Sequence, residues 1–217
     1  GCMPQLDRWS SVRAAGLALA VVSVIAPRIV LGQAPVPIPS GVATSGVLSF
    51  DGHATLGDFT GTTTTVSGTL RGAASIDSVT GWVEAPVGTL TTGNGKRDRD
   101  LNGSMESDRF PVIRYELSSV AVRGVRGDTV DITLRGAFVI HGVRRSAEIN
   151  GAAVFSPGAV EVTGAVPLDL DDFAIKGLSK MLGILKMHSG IEVHFDVTFG
   201  SMPPDPLPVP ASGPPQP

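Results

Sequence analysis

The sequence predicts an all-β fold, an antiparallel barrel of about eight strands with short helices near residues 95–104 and 171–185. Three observations carry this. Apolar residues recur at every second position through several successive segments, the period of a strand with one face buried and the other wet. Glycine and threonine are frequent between short apolar runs, and no long helical period dominates the middle of the chain. The strand candidates lie so close in sequence that antiparallel hairpins are the economical connection.

The two ends are unlike the middle. Arg8 and Arg13 precede an apolar run, Ala14 to Ala26, with the charge and length of a secretory signal. Its thirteen residues are too few to span a bilayer, and an uncleaved anchor reaching Leu31 would be interrupted by Arg28. Cleavage after Ala26 or after Ala34 satisfies the small-residue rule; both put proline next, which disfavours the peptidase, and the choice stays open. Residues 1–34 are therefore expected to be an export signal, 35–43 a proline-rich linker, 44–199 the barrel domain and 200–217 a disordered tail with eight prolines. No stable membrane span is expected once the signal is removed, and the expected location is periplasmic or secreted, in a bacterium. Cys2, the only cysteine, lies ahead of the apolar run. It cannot be a lipoprotein acceptor at the end of this signal, and no intrachain disulfide or cysteine-built zinc site is available. A formal charge of −3 with Lys and Arg spread along the chain gives no basic stripe, so nucleic acid is excluded as a partner.

In chain order, Val47 to Phe50 is a short β-reading run, and Leu56 to Gly61 follows with Phe59 between Gly57 and Gly61. Thr62 to Leu70 is mostly Thr, Val and Gly, which suits a strand but hides its register. Val79, Gly81, Val83, Ala85 and Val87 alternate with Thr80, Trp82, Glu84 and Pro86, so one face is small and apolar; Trp82 falls on the other, with no ligand role evident.

Asn94 to Ser104 is charged and helix-compatible, with Asn94 placed to cap it. Arg97 and Leu101 share a side at i, i+4, whereas the adjacent Arg97 and Asp98 cannot face each other. The segment is either a lid across one barrel mouth or a loop for which Arg97 and Asp98 are hydrogen-bond anchors; the second reading is favoured, because a closed barrel needs its end covered even without a ligand.

Ile113, Tyr115, Leu117 and Ser119 then share a face. Val130, Ile132, Leu134, Gly136, Phe138 and Ile140 form a longer row, opposed by Asp131, Thr133 and Arg135. Past a turn at His141-Gly142 come Val143, Ala147, Ile149, Ala153 and Phe155, and past Ser156-Pro157-Gly158 come Val160, Val162, Gly164, Val166, Leu168 and Leu170. The period changes in Asp169 to Lys186, where Phe173, Leu178, Met181, Leu182 and Leu185 suit a short amphipathic helix or lid weakened by Gly177 and Gly183. Ile191, Val193, Phe195, Val197 and Phe199 alternate with Glu192, His194, Asp196 and Thr198, the cleanest strand in the chain. Sparse aromatics and short strands argue against a transmembrane barrel.

Two groups of residues carry a family resemblance. Thr92-Gly93-Asn94, Arg97-Asp98, Leu101, Phe110-Pro111 and Tyr115 resemble the signature of the YceI-like family of bacterial lipid-binding β-barrels, and Phe138-Val139-Ile140-His141-Gly142-Val143 is similar to its second motif, in the right order. The Phe59 segment resembles that family's early glycine, aromatic, glycine strand. Asp100 departs from the histidine often found there, as does Arg144-Arg145 from the Thr-Lys after the second motif. The resemblance implies an eight-stranded lipocalin-like barrel over residues 46–199. It also implies a periplasmic or secreted carrier or store that holds an amphiphilic isoprenoid, a quinone or polyprenyl chain, in its lumen.

The lumen candidates are Val83, Ile113, Tyr115, Leu117, Ile132, Leu134, Phe138, Ile140, Val160, Val162, Leu178, Met181, Leu182, Val193, Phe195 and Val197. Asn94, Arg97, Asp98, Leu101, His141 and Gly142 are structural or lid residues of the motif. No catalytic residue, metal or cofactor is expected, apart from a bound isoprenoid lipid or quinone. The partners this implies are a hydrophobic small molecule and, as an open alternative to a monomer, a second copy of the chain. Two other functions remain. One is a hydrolase using His53, His141, His188 or His194, against which stands the lack of a G-x-S-x-G elbow, an H-E-x-x-H helix or a phosphate-cradling glycine loop. His141 has no histidine or carboxylate at metal-ligand spacing, and the favoured reading is a turn histidine bonded to nearby backbone. The other is a stress-response or interaction barrel filled by its own side chains.

Overall fold

The computed structural model describes residues 38–54, 57–175 and 187–201. Its strands are β1 (Gly41–Ala54), β2 (Phe59–Thr63), β3 (Ser67–Arg71), β4 (Thr80–Pro86), β5 (Val112–Arg126), β6 (Thr129–Ile140), β7 (Val143–Ser156), β8 (Ala159–Asp169) and β9 (Met187–Ser201), with helix α1 at Gly95–Ser104. From β3 onward each strand pairs antiparallel with the next, and β9 pairs back to β1, closing the sheet on itself. Closure leaves no long free edge for another chain to extend.

Nine segments make eight staves. β2 pairs with the C-terminal half of β1, Leu48 to Gly52, and β3 with its first residues, Gly41 and Val42. The two therefore occupy one stave, broken at residues 64–66. The break lies in the threonine-rich run whose register the sequence conceals.

The apolar rows turn inward as their period requires. Cross-strand partners share a face, and the pairs Leu48 with Phe195, Phe50 with Val193, and Tyr115 with Phe138 all point to the axis. One row departs from expectation. Ser119 lies opposite Arg135 and Val120 opposite Leu134, because a bulge between Leu117 and Ser119 shifts the register by one residue. Val120, 6% exposed, takes the inward place that simple alternation assigns to Ser119.

Strand length and ends also differ from the sequence reading. β5 and β9 run to 15 residues each, so short strands do not argue against a membrane barrel. Sidedness does: the apolar rows face the interior and exposed Glu192 and Asp196 face out, the reverse of a transmembrane barrel. Gly41 to Ala43 pair with β9, and Ile38 bridges Ala73, so the barrel takes up residues assigned to the linker; Gly200 and Ser201, assigned to the tail, belong to β9. The signal-like residues 1–34 and the tail beyond Ser201 lie outside the described residues.

α1 covers one end of the barrel. Its N-terminus is capped as the sequence suggests, the Asn94 side chain accepting hydrogen bonds from the Lys96 and Arg97 amides. Leu101 and the following Met105 are buried against the strand ends. The second helical expectation is met only by a 3-10 turn, Leu170–Phe173, held by Asp169 accepting from the Asp171 amide; residues 176–186 lie outside the described residues. That turn packs against β7 and β9. It sits where the β7–β8 ladder is short, since β8 pairs only with Asn150 to Ser156 of β7. Phe173 and Ile175, 2% and 1% exposed, are buried beside it.

Aromatic rings in the interior lie on glycines. Phe50 is the direct partner of Gly61 and Phe59 of Gly52, Phe195 of Gly164, and Tyr115 lies beside Gly136. A methyl group built on Gly61 would stand 2.2 Å from the Phe50 ring. Gly61→Ala is therefore expected to lower stability by about 1–3 kcal/mol, the usual cost of overpacking, as read from urea unfolding. An unchanged midpoint would mean that the ring is not seated there.

Candidate binding lumen

The inward rows do not meet in a solid core. Two apolar chambers follow one another along the barrel. The first, about 90 Å³, is walled by strand residues including Val83, Ile113, Tyr115, Leu117, Leu134, Phe138, Val162, Val193, Phe195 and Val197. The second, about 70 Å³, lies beneath α1 and includes Leu90, Leu101, Met105, Ile140 and Leu170. A single water needs roughly 10–15 Å³ of such volume, so each chamber is several-fold larger than a packing defect. Leu48, Ile113, Phe138 and Val193 line both and form the waist between them.

Of the expected lumen residues, the ten named for the first chamber and Ile140 in the second stand at these walls. Ile132, 2% exposed, is instead packed into the core, and Val160 packs against that core; neither lines a chamber. Leu178, Met181 and Leu182 lie outside the described residues. Sequence reasoning missed Leu48, Val66, Leu70, Ala85, Ile149 and Phe199 of the first chamber, and it gave Trp82 no ligand role although Trp82 also lines it. Ile149 and Phe199 sit in alternating rows and could have been found by parity; Val66 lies in the stave break, which has no period to read.

Tyr115 brings a polar atom into this apolar wall. Its ring lies over Gly136, where a methyl group would approach the phenol oxygen to 2.9 Å. Its hydroxyl donates towards the carbonyls of Leu134 and Ala147 at 3.2 and 3.4 Å. Burial, with Glu148 adding to it, pushes the phenol well above its ordinary value.

The motif residues form the closure. Asp98 accepts from the Thr92 amide and hydroxyl at 2.8 and 2.6 Å, tying α1 to the loop before it. The Arg97 guanidinium lies 4.3 Å from the centre of the Phe59 ring. His141, with φ +52°, turns the β6–β7 hairpin, and its Nδ1–H donates to the carbonyl of Phe173 at 3.2 Å. Its Nε2 faces the Glu106 carboxylate at 3.3 Å without a hydrogen-bonding angle. Arg109, then His141, hold that carboxyl below its usual range against the opposing cost of desolvation. Gly142, φ +75°, lets Phe110 lie against the turn.

Neither His141 nor His194 contacts a hydroxyl that could serve as a nucleophile. On the outer face His194 Nε2 is 3.0 Å from Asp51, which also accepts from Thr60 at 2.6 Å. The carboxylate stands between hydroxyl and imidazole, whereas a nucleophile must contact the imidazole directly. Among the described residues no group of three or more His, Cys, Asp or Glu side chains is placed to hold a metal ion, and no helix is long and apolar enough to cross a membrane.

Tyr115 is the chain's one tyrosine, so its titration can be followed by phenolate absorbance without ambiguity. The unfolded phenol ionises near pH 10 and the native one only above that. The stability Tyr115 contributes is thus full below about pH 10 and declines as the pH rises further. Phenolate is expected at higher pH in the native protein than in urea; coincident curves would place the ring in water.

Comparison with known proteins agrees with this geometry. No curated protein sequence matches the chain. Among solved structures it is similar to a polyisoprenoid binding domain from Saccharophagus degradans (TM-score 0.64, 13% identity, covering 76% of this chain and 99% of that one). It is also similar to BcnA of Burkholderia cenocepacia (0.59, 15%, 70% and 95%) and to the YCEI protein of Campylobacter jejuni (0.51, 12%, 66% and 85%). At such identities the likeness shows the fold. The YceI-like domain profile matches residues 42–199, most of the chain and nearly all of the barrel, and this chain belongs to the YceI-like family.

Proposed function

We propose that this chain is a non-enzymatic carrier or store for an amphiphilic isoprenoid lipid, a quinone or a polyprenyl chain, working in the periplasm or outside the cell. The observation that carries the reading is the pair of aligned apolar chambers joined at the waist of Leu48, Ile113, Phe138 and Val193. A polar substrate would leave its groups unpaired against such walls. A hydrocarbon gains about 0.8 kcal/mol per buried CH₂, so roughly 20 carbons yield about 16 kcal/mol gross against association costs of about 4–15 kcal/mol. Affinity then follows tail length without any polar contact. The Saccharophagus degradans neighbour, named for polyisoprenoid binding, supports the same class of ligand. The signal-like residues 1–34 support export.

Organic extraction of the purified protein followed by mass spectrometry is expected to release a prenyl lipid. Phe195→Arg, which puts a charge into the first chamber, is expected to abolish uptake of added polyprenol while circular dichroism still reports a β-barrel. Repeated extraction of nothing, together with no uptake by the unaltered protein, would refute the carrier reading.

A further inference from the structure

The broken stave leaves part of the barrel wall without main-chain pairing. The β3–β4 ladder ends at Ser67 opposite Glu84. Above it, Ala85 and Pro86 pair only with β5 on their other side, and β2 has no ladder to β4. The facing sides meet again at Thr62 and Thr91, whose amides and carbonyls exchange bonds of 2.9 and 3.0 Å. Next to that bridge is a hydroxyl clasp. The Thr65 amide donates to Thr63 Oγ1 at 3.0 Å, the Thr63 hydroxyl to Thr89 Oγ1 at 2.7 Å, and the Thr89 hydroxyl to the Pro86 carbonyl at 2.8 Å. Between clasp and ladder lies a window, with residues 64–66 on one side and Ala85 and Pro86 on the other.

The first chamber reaches this window. Residues on a strand face opposite sides in turn, so a wall paired on both edges offers a lumen every second residue. Here the chamber is lined by four consecutive residues, Trp82 to Ala85, of which Trp82 to Glu84 are still paired to β3 and Ala85 lies just beyond that ladder, and by Val66 from the break itself. The cavity therefore abuts the unpaired stretch from both of its sides, at Val66 and at Ala85. Val66 is the sill: its Cβ would stand 3.0 Å from a methyl group on Gly46, so the break packs closely on β1 there.

Across the paired β4–β5 side, and next to the window through Glu84 at the end of the β3–β4 ladder, the Arg114 guanidinium lies 4.4 Å from the Trp82 ring centre and bonds Glu84 at 2.7 Å. Both charged side chains are partly buried, 35% and 23% exposed. The cluster offers guanidinium donors, carboxylate acceptors and an aromatic face, with its charge already balanced. A hydroxyl or carbonyl can be hydrogen-bonded there at no electrostatic cost, whereas a phosphate would meet the Glu84 carboxylate as a like charge.

We propose that the lumen is loaded sideways through this window, tail first, and that Trp82, Glu84 and Arg114 take a neutral hydroxyl- or carbonyl-bearing headgroup at its outer rim in preference to a phosphorylated one. The proposal rests on the lipid-carrier reading above and adds the route and the head chemistry to it. The clasp is the gate, since parting Thr63 from Thr89 breaks one hydroxyl contact and no strand ladder.

The test uses the full chain with Cys2→Ser and the pair Thr63→Cys and Thr89→Cys, whose side chains replace oxygens 2.7 Å apart and lie within reach of a disulfide. Uptake of radiolabelled geranylgeraniol is timed with the staple oxidised and then reduced. The oxidised form is expected to load on the order of tenfold more slowly to the same final occupancy, with the rate restored by reductant, which also controls for folding. Equal rates in the two states overturn the window. No loading in either state refutes the carrier reading, and the window falls with it. In the second arm, geranylgeraniol is expected to bind on the order of tenfold more tightly than geranylgeranyl phosphate, and Glu84→Gln to narrow that gap. Equal or tighter binding of the phosphate overturns the headgroup assignment, while the staple result stands independently.

Discussion

The lumen depends on aromatic rings seated against residues that have no side chain. A barrel of eight staves has an interior that side chains just fill, and several aromatic residues, Phe138 and Phe199 among them, point into this one. A phenyl ring directed across the axis would divide it. Phe50, Phe59, Phe195 and Tyr115 instead rest against Gly61, Gly52, Gly164 and Gly136 on neighbouring strands, with contacts that a single methyl group would prevent. Each ring covers backbone that a glycine would leave bare. The same contacts fix register, because a slip by one residue would take every ring off its glycine. Hollowness and strand alignment thus come from one arrangement, and the waist between the chambers is formed by residues standing among these rings.

The covered end is organised differently. The described non-glycine residues with positive φ are Glu106, His141 and Ala174, and they belong to one knot: Glu106 after α1, His141 in the β6–β7 turn and Ala174 next to the Phe173 carbonyl that His141 bonds. Such backbone is sparsely populated for residues with a Cβ and persists where the surroundings over-determine it. Here the knot ties helix, hairpin and 3-10 turn together around a mostly buried imidazole. A histidine can do this because its nitrogens point two ways at once, one to a carbonyl and the other to a carboxylate. The histidine that the sequence places in a turn is, in space, the fastening of the barrel's end.

How much of this was legible in the sequence follows from what a two-residue period encodes. It reports which face a side chain takes while pairing is regular, and for β6, β8 and β9 that was enough to place the inward rows, with Asn94 marking the helix start. It does not report interruptions. The bulge after Leu117 reverses the parity of Ser119 and Val120 without any marker of its own. The stave break falls in a run of threonines whose small, β-branched side chains suit either face. Ile132 and Val160 share a face with true wall residues, yet lie where packing has closed the barrel; alternation distinguishes inside from outside but not hollow from full. Alternation sets Trp82 on the face opposite Val83, yet it also stands at the wall of the first chamber, a nearness that no local pattern reveals.

The chemistry of the walls sets limits on what selects a ligand. Apart from the Tyr115 hydroxyl, already engaged by two carbonyls, the chambers offer a tail almost nothing to hydrogen-bond. Discrimination inside is therefore by length and girth, and one methylene more or less changes affinity only in proportion to the surface it buries. Discrimination by chemical type needs a fixed polar group whose desolvation is already balanced, and along the first chamber the Glu84–Arg114 pair meets that condition. A barrel with a greasy interior and a charge-neutral rim sorts its ligands twice, by tail within the wall and by head at its edge.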